Sequence, residues 1–195
     1  LAPRQIWFDT DTKRLNADGL GILLGSFKGE DKILTINKKG EAKLVSFELS
    51  NRFDEELEII EKWKPTKPIS CVYYDAEKDR YFVKRFLLED TFSPQAFYTL
   101  EDDKSSIKVV STDYLPVIEL IFPKIKGLEK DPEVINVEEF ITVKGIKAQG
   151  NQLTTYKLKQ INVLAPLPFD EPDEIEEEVE DDTQPTLFDT IDEDN

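Results

Sequence analysis

The chain has no histidine and no methionine, and a single cysteine among its 195 residues. Lack of histidine removes the commonest general base and the commonest transition-metal ligand, and with them hydrolytic triads and most zinc sites. Without methionine, Leu1 does not read as a translation start, and the chain reads as a piece of a longer protein. One cysteine cannot form a disulfide framework, which fits a reducing cytoplasm; Cys71 lies in the apolar run Ile69-Ser70-Cys71-Val72-Tyr73 and is expected to be a buried, inert thiol. No stretch approaches the roughly 18 consecutive apolar residues of a membrane span, and the N-terminal residues lack the basic and apolar regions of a signal peptide. Apolar residues with a sustained period of 3.6 are also missing, so helix is a minority.

Basic residues are in deficit overall, 25 against 41 acidic, for a net charge of −16. The deficit is local. Residues 165–195 carry 14 acidic and no basic residues, leaving 27 acidic and 25 basic in residues 1–164, a net of −2. This divides the chain into a nearly neutral body, 1–164, and an acidic tail, 165–195, in which a self-repelling run such as Glu174–Asp182 buries too little apolar surface to offset the entropy of ordering. Disorder is expected from about residue 166.

What the body does contain is short apolar clusters separated by turn chemistry. Lys32–Ile36 and Ala42–Phe47 flank Asn37-Lys38-Lys39-Gly40, a hairpin loop with glycine where positive φ is often needed. Ser70–Tyr74 and Arg80–Phe86 flank Asp75–Asp79 and repeat the layout about 38 residues later. Gln5–Phe8 and Lys13–Leu15 give a shorter version around Asp9–Thr12. Glu139–Val143 and Leu153–Leu158 suggest a last hairpin, with Gly145 and Gly150 in its loop. Ile107–Val110 and Val117–Phe122 add strands, Pro116 suiting a strand start. Glu55–Trp63 suits one helical turn or an alternating strand, and Leu57, Ile59 and Glu61, at period 2, favour the strand. Hairpins recurring every few tens of residues point to repetition of small sheets, with a single irregular sandwich or barrel as the alternative.

Several of these stretches resemble a known family: Arg4–Asn16, Asp31–Gly40, Tyr73-Tyr74-Asp75 with Tyr81–Phe86, and, most specifically, Phe140–Leu153. They are similar to the C-terminal domain of bacterial type II topoisomerase A subunits (topoisomerase IV or gyrase A) of the Bacteroides type. The resemblance implies an all-β fold, a β-pinwheel of about four small antiparallel blades, open or incomplete. It implies a role in binding and bending double-stranded DNA while the rest of the A subunit and the ATP-hydrolysing B subunit carry out strand passage, at the nucleoid in the cytoplasm. The basic, glycine-rich box of gyrase has no counterpart: Gly19–Gly25 occupies a comparable place without basic residues, which favours a topoisomerase IV-like role. No catalytic residue, cofactor or metal is expected in this chain, and none of its tyrosines corresponds to the family's active-site tyrosine.

DNA contact in such a domain is electrostatic, through lysines and arginines that neutralise phosphates. The candidates are Lys13 and Arg14, Lys38 and Lys39 at a hairpin tip, Lys84 and Arg85, of which one is expected to face out of its strand, and Lys144, Lys147, Lys157 and Lys159 around the last hairpin. A solvated surface lysine is the bland alternative for each. For the tail, three readings stand: a solubilising extension, a competitor lying over the basic rim, or a partner-binding segment. Gln184-Pro185-Thr186-Leu187-Phe188 resembles the short peptides that dock in the bacterial sliding clamp, a five-residue motif that chance also supplies. The competing class of function is a protein-interaction propeller with no nucleic-acid role, supported by near-neutral charge and by exposed aromatics, with Trp63, Phe92 and Phe97 expected to be such.

Overall fold

A computed structural model describes residues 2–53, 56–127 and 129–171. It contains fourteen strands and one helical turn among the described residues, arranged as four small antiparallel sheets, none closed into a barrel.

The first sheet has the order β2-β1-β3, from β1 (Arg4–Asp9), β2 (Arg14–Asn16) and β3 (Ile22–Phe27). The second is β6-β4-β5-β9: β4 (Ile33–Asn37), β5 (Glu41–Val45), β6 (Leu57–Lys62) and β9 (Gln95–Ala96). The third, β10-β7-β8-β13, joins β7 (Ile69–Asp75), β8 (Arg80–Phe86), β10 (Ser106–Ser111) and β13 (Asn151–Thr154). The fourth, β12-β11-β14, holds β11 (Val117–Ile121), β12 (Glu133–Asn136) and β14 (Gln160–Leu164). The first three sheets are built on hairpins that the turn chemistry of the sequence indicates, whereas the fourth pairs β11 with β12, a strand the sequence reading did not place. In the tip of the second, Asn37 Oδ1 accepts the N–H groups of Lys39 (3.0 Å) and Glu41 (3.1 Å); in the third, Asp75 Oδ1 accepts that of Glu77 at 3.1 Å. Such side-chain bonds satisfy turn amides that no ladder reaches.

Alternation along the strands distributes the side chains between two faces. Ile33 and Val45 point toward the first sheet, where Ile6, Phe8, Leu15 and Phe27 bury against them. Leu34, Ile36, Ala42 and Leu44 point the other way, onto Ile69, Cys71, Phe82 and Phe86 of the third sheet. Val72 and Val83, on the opposite face of the third sheet, pack against Ile118, Leu120 and Ile135 of the fourth. Three cores thus join four blades in series, and among the described residues none joins the first blade to the fourth. This is an open, pinwheel-like all-β fold.

The burial of Cys71 is complete (0% exposed), and desolvation pushes its thiol up to about 12. Reaction requires the thiolate, so an alkylating reagent at pH 8 is expected to leave Cys71 intact in the native chain and modify it fully in urea; mass spectrometry reads both.

Two expectations need correction. Glu139–Val143 is not a strand: Asn136 caps a helical turn, α1 (Val137–Phe140), by accepting the Glu139 N–H at 3.4 Å, with Glu138 and Glu139 suited to the positive end of its first turn. The presumed partner, β13, pairs instead with β8 in the third blade. The reading of Phe97 as exposed also fails, since it is 3% exposed and stacks on Phe86 at 5.2 Å. Beyond β14, the Leu167 N–H donates to the Leu115 carbonyl at 3.0 Å, Phe169 stacks on Tyr114 at 4.2 Å and Glu171 pairs with Lys64. The acidic run and Gln184–Phe188 lie outside the described residues.

Candidate nucleic-acid interface

Three elements converge at the tip of the β7–β8 hairpin. Asp102 Oδ1 accepts the N–H groups of Lys104 (3.1 Å) and Ser105 (2.7 Å), which fixes the turn that presents Lys104. In β10 the register against β7 shifts between Ile107 and Val109, so that Lys108 is the extra residue of a bulge and its side chain leaves the sheet. Thr154 Oγ1 accepts the Tyr156 N–H at 3.2 Å, shaping the loop that carries Lys157. Lys104, Lys108 and Lys157 line one cleft of about 510 Å³ with Tyr74 and Tyr81. A carboxylate, Asp79, is also present; it accepts a short hydrogen bond from the Tyr74 hydroxyl, which together with partial desolvation holds that phenol up at about 12 and protonated.

A second cleft, about 360 Å³, lies on the outer side of Lys108 and reaches Asn37 and Lys38 at the β4–β5 tip, with Glu58 on its wall. Lys38, Lys108, Lys104 and Lys157 therefore form one exposed row that passes from the second blade across the third to the loop leading into the fourth. Among the described residues none of the four is ion-paired. On the far face of the same hairpin, Lys78 and Lys147 line another cleft of about 370 Å³ with Asp75.

The sequence candidates fall into three groups. Lys38 and Lys157 belong to the row. Arg14, Lys39, Lys144, Lys147 and Lys159 are exposed elsewhere and Lys13 is half-buried; Lys39 is turned toward Glu56 at 3.5 Å, and Lys144 Nζ donates to Asn151 Oδ1 at 3.2 Å. Lys84 and Arg85 correct the expectation outright, because neither faces out: they are 5% and 6% exposed. Alternation requires one outward residue only where a sheet has a solvated face, and β8 has a blade on each side. Lys84 Nζ donates to the carbonyls of Phe97 (2.7 Å) and Ile146, at the seam with the second blade. Arg85 Nη2 donates to the Tyr114 carbonyl at 2.5 Å, at the seam with the fourth. Burial pulls both cations below their usual range.

These two residues are clasps between blades. Replacing Lys84 by Met is expected to cost about 2 kcal/mol, since it removes the ammonium from the buried Phe97 carbonyl and the half-buried Ile146 carbonyl. Arg85→Met is expected to cost about 1 kcal/mol, because only one carbonyl is orphaned and, among the described residues, the Arg85 Nε has no partner to lose. Urea midpoints of the two variants check the order. Gly150, which the sequence places in the loop of the last hairpin, is pressed against the Val83 carbonyl.

Lys104 and Lys108 were missed. The signal was present for Lys108, a lone cation inside the apolar run Ile107–Val110, but a bulge cannot be placed from one strand alone.

An open series of small blades defines a pinwheel-type domain. Residues 14–165 match the family model described as the topoisomerase C-terminal domain of Bacteroidota. The match covers most of the chain, and the protein belongs to that family. No curated protein and no solved structure matches it.

Proposed function

We propose that this topoisomerase C-terminal domain handles duplex DNA, binding it along the row Lys38, Lys108, Lys104 and Lys157 and presenting it to the strand-passage machinery of the A and B subunits. The observation that carries this reading is the continuity of that row from the second blade across the third to the loop leading into the fourth, through two clefts lined by the carboxylates Asp79 and Glu58, the first engaged by Tyr74, with Asp102 tied to the turn before Lys104. A body of net charge −2 has no long-range field to hold DNA, so binding depends on local segregation of charge. Contacts are to phosphates, and the affinity is sequence-tolerant and modest. A row that crosses blade seams follows the angle between blades, so an open series bends DNA less tightly than a closed wheel, in keeping with a topoisomerase IV-like role and with the lack of a basic glycine-rich box near Gly19–Gly25. Among the described residues no helix is long and apolar enough to cross a membrane, and a place at the nucleoid accompanies this reading.

The test is the affinity of the whole chain for linear duplexes of unrelated sequence across a salt series. Four phosphate contacts predict a slope of log K against log salt near −4, from about −0.9 per contact, with little difference between sequences. Absence of binding at low salt would reject DNA handling and favour the protein-interaction reading. Ending the chain after Glu171 then reports on the tail. Tighter binding marks it as a competitor for the row, and unchanged binding marks an inert extension.

A further inference from the structure

The strand order contains a repeated exchange. In the second blade, the strand beside β5 is β9, which arrives from beyond the hairpin of the third. In the third, the strand beside β8 is β13, which arrives from beyond the hairpin of the fourth. The corresponding stretch for the first blade, 46–53, makes no ladder but packs Phe47, Leu49 and Phe53 into the first core. Among the described residues the fourth blade receives nothing: β12 pairs there with β11 on one side, and its Val134 is 60% exposed. An unpaired edge bearing an exposed apolar residue is a template for one more strand.

We propose that the open edge of β12 is the docking site of residues 183–188 of this same chain. The chemistry of the exchanged strands argues for that segment. In a chain that is 34% charged, both exchanged strands, with the residue that anchors them, are uncharged: Gln95-Ala96-Phe97, anchored by Phe97, and Asn151-Gln152-Leu153-Thr154, anchored by Leu153. Between the acidic runs of the tail there is one uncharged stretch with large apolar residues, Thr183-Gln184-Pro185-Thr186-Leu187-Phe188. Leu187 and Phe188 supply the anchor, Val134 the surface for it, and Pro185 is tolerated at an edge. Lys124 and Lys126, exposed in the loop before β12, offset the flanking carboxylates.

Direction and reach agree. Phe169 stacks on Tyr114 and Leu167 bonds Leu115, just before β11, at the end of the blade where Asn136 closes β12 opposite Val117. A segment arriving from there runs antiparallel to β12, as β9 and β13 run to their partners. The dozen residues between Glu171 and Gln184 span up to roughly 40 Å, several strand spacings. A tether of that length gives an effective concentration on the order of millimolar, enough for a short strand of modest intrinsic affinity.

Amide hydrogen exchange on the whole chain tests this, comparing the native protein with the double variant Leu187→Asp, Phe188→Asp, which alters no residue of the blades. The expected result is that peptides covering Glu133–Asn136 exchange about tenfold faster in the variant, while β7 is unchanged. Equal exchange of β12 in both proteins overturns the proposal. Protection that rises with protein concentration also overturns it, since the occupant is then a second copy.

Discussion

Reversing three charges of the row, in the variant Lys104→Glu, Lys108→Glu, Lys157→Glu, is expected to lower the affinity for linear duplex DNA on the order of 100-fold at low salt and to reduce the salt slope by about 3. The reasoning is additive because the three lysines stand on separate elements: a turn after Asp102, a bulge in β10, and the loop between β13 and β14. Each forfeits one counterion release, and each new carboxylate adds repulsion. All three are exposed, so folding is not at stake, and an unchanged thermal midpoint confirms it. Arg14→Glu serves as the control, being equally exposed but on the first blade and outside both clefts that define the row. A full loss with Arg14→Glu, or none with the triple variant, would place the DNA elsewhere. Sequence preference in the native protein would also count against a phosphate-only contact.

The second large effect concerns stability. Gly150 has φ +86, and a Cβ built there would lie 2.1 Å from the Val83 carbonyl oxygen. That oxygen belongs to a strand fixed on both sides, by β7 and β13, and cannot give way. Gly150→Ala therefore forces β13 off β8. Adding the strain of a left-handed alanine to the lost ladder, a cost of about 3–4 kcal/mol is expected. Gly29, with φ +54 and open space where its Cβ would be, isolates the conformational part, and Gly29→Ala is expected to cost only about 1 kcal/mol. Chemical denaturation of the two variants separates the terms. If both lose the same amount, the contact with Val83 contributes nothing.

Because β13 carries Leu153 into the core between the third and fourth blades, damage at Gly150 spreads to a seam. Lys157 lies three residues beyond β13, so Gly150→Ala is also expected to weaken DNA binding without touching a charge.

The first three hairpins were legible in the sequence because their information is local: short apolar clusters such as Ile33–Ile36 and Ala42–Val45, with Asn37 and Gly40 in the tip between them. The partners of β9 and β13 were not, because Gln95–Ala96 and Asn151–Thr154 are too short to carry a pattern and are paired by residues from another module. The same limit hid the orientation of individual cations. Lys84 and Arg85 look like surface residues of a two-sided strand until the blades on both faces are known, whereas Lys108 looks like part of an apolar strand until its bulge is seen. Glu139–Val143 failed for a different reason, the capping side chain of Asn136, which competes with strand pairing through a bond three residues away.

The exchanged strands also set a schedule for synthesis. The second blade has its hairpin by Val45 but not its fourth strand until Gln95–Ala96 leaves the ribosome, and the third waits from Phe86 until Asn151–Thr154. From Val45 until Asn151–Thr154 is made, the nascent chain therefore holds a second or third blade with an edge still unpaired, and that edge is closed by a strand from beyond the next hairpin. A ribosome stalled between two modules displays a strand-accepting surface, and each module acts in turn as the chaperone of the one before it.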